Sequence, residues 1–404
     1  MLKLGLKVIF TLIAVFTLFT CIDPYTPKLT GYESLLVVDG LITDANSSYS
    51  IKLTRTFQDV NSIPLNVSDA TVSVSDDAGN INILSYSGNG VYKSDSTTFR
   101  GTVGRTYVLH ITTPKEEDFA SEPCLMQSVP DIDSIYFEKD AELVNNNTES
   151  QQGVMVYLNS KGSDNNRFYR WTFDETWKFK VPTPSKFIFI DSATFLPVDR
   201  IREYCWKSIK SDKIIIRSIY TGESTRLDKQ PIYFIASDKS DRLMVQYNTL
   251  IKQYSISKKE YDFWNELKKI NELGGDIFAR QPYAVISNVH NVNNPKQRIL
   301  GYFQVSGMKQ KRIDLPFSQF VAMNLPFYHT TCERFERDPW ELPIPGTWKK
   351  LYSIWCITSN YAFVEPKLIP GSLVCVKLVF TTKECANCEL TGTSKKPDFW
   401  TDLN

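Results

Sequence analysis

Thr71-Val72-Ser73-Val74-Ser75, then the turn Asp77-Ala78-Gly79-Asn80 and the run from Ile81 to Ser85, is the stretch that decides the fold. The valines alternate with hydroxyl residues, the period of a strand with one buried and one wet face. The polar, glycine-bearing tetrapeptide between two such runs is turn chemistry, so the pair reads as a hairpin. Asp76 to Asn80 carries residue types found in calcium loops but lacks their ligand spacing, which leaves the hairpin. Working outward, the same pattern recurs in Leu35 to Asp39, Ser50 to Arg55, Gly90 to Lys93, Thr106 to Thr112 and Phe119 to Glu122. Gly88-Asn89-Gly90 and Gly101-Thr102-Val103-Gly104 supply further turns. About seven short strands with frequent turns over about a hundred residues predict a sandwich. The chain is therefore expected to be mainly β, with an Ig-like or prealbumin-like β-sandwich over 34–130. A larger β-rich domain carrying one long helix is expected over 131–404.

Ser128-Val129-Pro130 marks the boundary, and Ile132 to Phe137 opens the second unit. Tyr169 to Phe173, Trp177 to Val181 and Lys213 to Tyr220 alternate like strands, while the asparagine-rich Asn145 to Gln152 reads as an exposed loop. Ser257-Lys258-Lys259-Glu260 has the form of a capping box and predicts a helix near 258–273. Tyr261, Trp264, Leu267 and Ile270 recur along one face as a stripe for packing on a sheet, and Gly274-Gly275 would end the helix.

The first residues carry an address. Lys3 and Lys7 precede an apolar run from Val8 to Phe19, and Cys21 follows at once. The run is too short to span a bilayer, which takes about twenty apolar residues. The arrangement resembles a bacterial lipoprotein signal peptide over 1–20, with Cys21 lipidated as the first mature residue. Residues 21–33, broken by Pro24 and Pro27, read as a tether. The acyl anchor on Cys21 is the expected membrane contact, with the cell surface favoured over the periplasmic face. Without Lys3 and Lys7, the 46 basic residues become 44 against 45 acidic ones, so no nucleic acid partner is expected.

Several segments together resemble one family. They are Leu36 to Thr43, Pro130 to Ile135, Cys205-Trp206, Gln253 to Ser257 leading to Tyr261-Asp262-Phe263-Trp264, Gly301-Tyr302-Phe303, and Lys396 to Trp400. In this ordered series the chain is similar to the lipoproteins of Bacteroidota grouped as domain of unknown function 4249. The resemblance implies an outer-membrane lipoprotein often encoded near TonB-dependent transporters. It implies no catalytic residues.

The residues themselves supply no catalytic signature either. His110 sits in an expected strand as a structural residue, and His290 falls in a polar stretch that would line a site if it lined anything. No Gly-x-Ser-x-Gly elbow, His-Glu-x-x-His helix or phosphate-binding glycine loop is present, and no metal or cofactor is expected. Beyond Cys21 there are seven cysteines, an odd number, so at least one lacks an internal partner. Cys385-Ala386-Asn387-Cys388 has the spacing of a redox pair or half a zinc site, but structural disulfides are the default in an oxidising envelope. Cys205 is expected to pair with Cys385 or Cys388. Ser96, Ser134 and Ser192 each follow Asp in the manner of Bacteroidota O-glycosylation sites. Trp171, Trp177, Trp340, Trp348 and Trp355 are available either as stacking surfaces or as core.

The functional expectation is a non-catalytic accessory or ligand-capturing partner of a TonB-dependent transporter. The alternatives are an adhesion or envelope-assembly scaffold and, third, a hydrolase with a dispersed carboxylate site.

Overall fold

The computed structural model describes residues 34–56, 65–114, 117–144, 148–163, 166–189, 195–220, 225–273, 285–338, 354–371 and 375–403. The expected signal peptide, the tether with Cys21, Ser192, Gly274, Gly275, Trp340 and Trp348 lie outside the described residues. The chain is mainly β, and among the described residues no helix is long and apolar enough to cross a membrane.

Nine strands open the fold: β1 (Leu36–Thr43), β2 (Ser50–Arg55), β3 (Leu65–Asn66), β4 (Thr71–Asp76), β5 (Ile81–Tyr86), β6 (Val91–Lys93), β7 (Thr106–Thr112), β8 (Asp118–Ser121) and β9 (Cys124–Leu125). Val72 and Val74 are fully buried, whereas Thr71, Ser73 and Ser75 keep some contact with solvent, as the alternation requires. β4 and β5 pair as a hairpin with Ser75 opposite Ile81. Asp76 Oδ1 accepts from the N–H groups of Ala78 and Asn80, both at 2.9 Å, and Gly79 takes a φ of +84°. The aspartate thus closes a turn and no ligand is needed to explain it.

β10 (Ile132–Val144), β11 (Glu149–Ser160) and β12 (Phe168–Lys180) begin the second unit. A short hairpin, β13 (Phe187–Phe189) and β14 (Phe195–Pro197), precedes β15 (Tyr204–Lys210), β16 (Ile215–Ser218), β17 (Leu227–Ala236) and β18 (Gln246–Ser255). The expected strands at Tyr169 to Phe173 and Trp177 to Val181 are one continuous strand, β12. Glu175 between them stays extended because its backbone pairs with Ile209 of β15 and Thr249 of β18, and Tyr247 Oη donates to its buried carboxylate at 2.5 Å. The expected loop at Asn145 to Gln152 is also shorter, because Glu149 already pairs with Val144 across the hairpin.

Helix α1 (Lys258–Leu273) follows β18. β19 (Val289–Asn291) and β20 (Leu300–Ser306) then return to the first unit: β19 pairs with β8, and β20 runs parallel to β1. Leu36 and Phe303, from β1 and β20, share one core with Phe119 of β8, so the eleven-stranded sheet curls round on itself. A single cut at 130 therefore does not separate the two cores, since Val289, Phe303 and Val305 complete the N-terminal one.

β21 (Met308–Pro316) adds to β18, giving the order β15-β12-β18-β21, with β16 also on β12, opposite the sheet β10-β11-β17. Trp171, Tyr247, Val156 and Ile235 pack between these two sheets. β22 (Arg334–Arg337), β23 (Tyr361–Leu368) and β24 (Cys375–Thr382) form a small third sheet. The last residues pack back on the second unit, with Trp400 buried edge-on against Trp206.

Candidate functional site

The two sheets of the second unit meet differently at their two seams. At one, Lys311 Nζ of β21 donates to the Asp133 carbonyl of β10 at 2.6 Å. At the other, among the described residues no backbone ladder joins β16 to β17, and a side-chain bond from Arg217 to Gln230, 2.9 Å, bridges them. Two neighbouring cavities occupy this open seam.

The first, about 260 Å³, lies under the connections 211–214 and 237–243. Ser211 donates its N–H to the Phe173 carbonyl, and its Oγ accepts from the Lys213 N–H, which pins the first connection over β12. Phe173 stacks on Tyr233 with ring centroids 3.6 Å apart, and both rings line the cavity. Glu175 sits beside them, with Arg242 Nε 3.3 Å away and the Tyr247 hydroxyl bound to it. Tyr233 and Tyr247 share a 2.7 Å hydroxyl contact, and burial pushes both phenols well above their ordinary range. Lys210, Lys213, Lys239 and Arg242 ring the opening.

The second cavity, about 740 Å³, continues along the seam and shares Asp212, Lys213, Tyr233 and Phe234 with the first. Its walls are Ile214, Ile215 and Ile216 on one side, Ile232 and Phe234 on the other, with Met155 beside them. Lys268, Asn271 and Glu272, near the end of α1, form part of the rim. Volumes and a mixed lining of this kind suit a small organic ligand.

A separate polar cluster lies where α1 bridges the two units. The Ser257 Oγ accepts from the Glu260 N–H at 3.1 Å, which is half of the expected capping box. The Glu260 side chain turns inward instead, and its carboxyl accepts from Trp264 Nε1 at 3.2 Å. Glu260 and Phe263 are the most buried positions of the helix, while Tyr261, Trp264, Leu267 and Ile270 are only half-buried. Tyr261 packs on Phe168 of the second unit and Phe263 on Tyr302 of the first, so the helix is a wedge between both units. Arg170 lies over the Trp264 ring at 4.0 Å and donates to Gln304 of β20 at 2.8 Å. Burial pushes the Glu260 carboxyl up to about 8, with Arg170 pulling the other way. Cys124 is nearby, its thiol pushed up to about 12 chiefly by burial.

The other expected residues are dispersed. Cys205 is bonded to Cys388 and Cys385 to Cys332, so the Cys-x-x-Cys spacing is divided between two disulfides. Cys332 gave no signal in sequence, because its partner is set by the third sheet. Cys124, Cys356 and Cys375 are free. Ser96 is exposed on a turn held by Asp95, whereas Ser134 lies within β10 and its Oγ accepts from Asn159. His110 is exposed on β7, 2.9 Å from Ser75 Oγ. His290 belongs to β19 and not to a loop, because it pairs with Ala120. Trp171 and Trp177 are core residues. Among the described residues no group of three or more His, Cys, Asp or Glu is placed to hold a metal ion. The seam was not legible in sequence: Lys210 ends β15, Lys213 opens a run that reads as a strand, and Lys239 lies in a polar connection, with no motif to bring the three together.

The model of the family described as Domain of unknown function (DUF4249) matches residues 22–312, which stops short of the tail segment Lys396 to Trp400. No curated protein matches the chain. One solved structure, titled "Biofilm associated protein - BSP domain", is 7% identical over 73% of this chain, with a TM-score of 0.11. That similarity spans 63% of the other chain and carries no argument here.

Proposed function

The chain belongs to the DUF4249 family, and from that premise we propose a ligand-capturing protein, anchored in the outer membrane through an acylated Cys21 and serving a TonB-dependent transporter. The observation that carries capture is the open seam between β16 and β17, with its two adjoining cavities. The basic and apolar residues before Cys21 support the anchor, and the family resemblance supports the transporter. Binding is favoured over hydrolysis because, among the described residues of the cleft beside Glu260, no free carboxylate is present to share the work. Glu122, the nearest candidate in the adjoining cleft, is paired with Lys259 at 2.7 Å.

The test is purification of the chain from native outer membranes in mild detergent, followed by native mass spectrometry. A stoichiometric transporter and a small-molecule adduct are expected, together with the mass of an acylated Cys21. Recovery of the lipidated chain alone, with no partner and no adduct, would refute the proposal. One observation favours the second reading, a scaffold: Ile81 and Ile83 stand 69% and 72% exposed on the outer face of β5, a site for a protein neighbour.

A further inference from the structure

We infer that the seam binds an amphiphilic anion, with its charged group among Lys210, Lys213, Lys239 and Arg242 and its apolar body along the isoleucines. This rests on the ligand-capture reading of the same groove and names the class of ligand.

The smaller cavity is lined by four cations and two carboxylates, Glu175 and Asp212. Glu175 is already committed to Tyr247 and Arg242. Among the described residues no carboxylate lies within 4 Å of the Lys210, Lys213 or Lys239 ammonium groups. Lys207, just outside the cavity, is by contrast neutralised by Asp241 at 2.7 Å. Set against Asp212, the remaining carboxylate of the lining, three unpaired lysines still leave a net positive charge around one partly enclosed space, which raises the local potential and favours an anion there. Lysines, as flexible point charges, suit a carboxylate, sulfonate or phosphate without fixing one geometry.

Ile214, Ile215, Ile216, Ile232 and Phe234 line the larger cavity, so an anion entering the smaller one trails its remainder along an apolar surface. Each methylene laid there leaves water and strengthens binding. Trp171 and Trp177 are buried in the core and add no stacking face for a sugar to this groove. An added peptide strand is also a poorer fit: Pro231, exposed in the middle of β17, lacks the N–H that a new strand would need.

The test is calorimetric titration of the full chain, in one non-ionic detergent, with octanoate, octyltrimethylammonium and acetate, and detergent alone as the blank. Octanoate is expected to bind at one site, with acetate and octyltrimethylammonium at least tenfold weaker. The triple variant Lys210→Gln/Lys213→Gln/Lys239→Gln should lose at least tenfold in octanoate affinity with an unchanged melting temperature, since all three side chains are on the surface. Ile216→Ser should weaken octanoate and leave acetate unaffected. Equal binding of the two octyl probes, or an unchanged affinity in the triple variant, overturns the inference. A neutral or cationic adduct on the native protein would overturn it while sparing the capture reading; no octanoate binding and no adduct of any kind would end both.

Discussion

Replacing Glu260 by Gln should make the protein more stable at neutral and alkaline pH, and the gain should grow with pH in a defined window. The folded carboxyl titrates near 8 and its ordinary value is 4.5. Between those values the folded state holds a proton that the unfolded chain has lost, so stability falls as pH rises. The penalty is absent below about 4.5 and complete above about 8, and at 1.36 kcal/mol per pH unit it reaches at most about 5 kcal/mol. Glutamine keeps the acceptor for Trp264 Nε1 but cannot ionise. Every other titrating group, including Arg170, Cys124, Tyr302 and the Glu122–Lys259 pair, is common to both proteins and cancels to first order in the difference. Urea unfolding followed by tryptophan fluorescence should show the variant's advantage widening by about 2.5 kcal/mol from pH 5.5 to pH 7.5. A difference that stays constant across that range would refute the reasoning, because an altered contact alone does not titrate.

Three other outcomes follow from the same geometry. Gly301 has a φ of +85°, and a Cβ there would lie 1.9 Å from the Val38 carbonyl oxygen; Gly301→Ala should cost about 3 kcal/mol or more. Gly79, at a φ of +84° with open space around it, should cost only about 1 kcal/mol as Ala, and equal losses in thermal unfolding would show that the close approach of β1 and β20 is unimportant. Non-reducing peptide mapping should recover Cys205–Cys388 and Cys332–Cys385, closing loops of 183 and 53 residues whose loss as Ser variants costs about 4–5 kcal/mol each. A Cys385–Cys388 linkage would contradict that pairing. Maleimide at pH 8 should leave Cys124 untouched in the native protein and label it in urea, since a thiol titrating near 12 is almost wholly protonated; native labelling would refute the burial.

What the sequence revealed and what it concealed divide along a physical line. Alternation, turn glycines and the capping serine are local signals, and β2, β4, β7 and α1 appear where those signals place them. Non-local pairings left no such mark. The return of β20 to β1 links residues more than 250 positions apart, and the only local trace is Gly301, whose need for a bare Cα is visible once Val38 stands against it. Glu260 shows how a local rule can be partly right. The serine caps the helix as expected, but the helix is a wedge and not a sheet-packed rod, so the fourth residue of the box is drawn into the junction with Arg170 and Trp264. The seam lysines had no motif to announce them, since their proximity is made by the end of β15, the connection after it and the separate connection after β17.

The segments that carry the family resemblance turn out to be fastenings. Gln253, fully buried, accepts from Trp171 Nε1 and donates to the Pro130 carbonyl and to Ser160 Oγ, each within 3.0 Å, so it ties the boundary segment to the second core. Tyr302 meets Phe263 of the wedge, Cys205 is bonded to Cys388, and Trp400 packs on Trp206. Each is a long-range contact whose loss would leave a buried polar group or a cavity, at a cost of about 1–5 kcal/mol. A series of residues spent on such fastenings specifies an architecture and places no demand on the ligand. The seam, by contrast, presents exposed lysine side chains, and the fastenings hold the backbone beneath them without engaging their ammonium groups. Variation of Lys210, Lys213 and Lys239 at constant fold would therefore change what the groove accepts, while the fastenings, and with them the scaffold that holds the groove open, stayed the same.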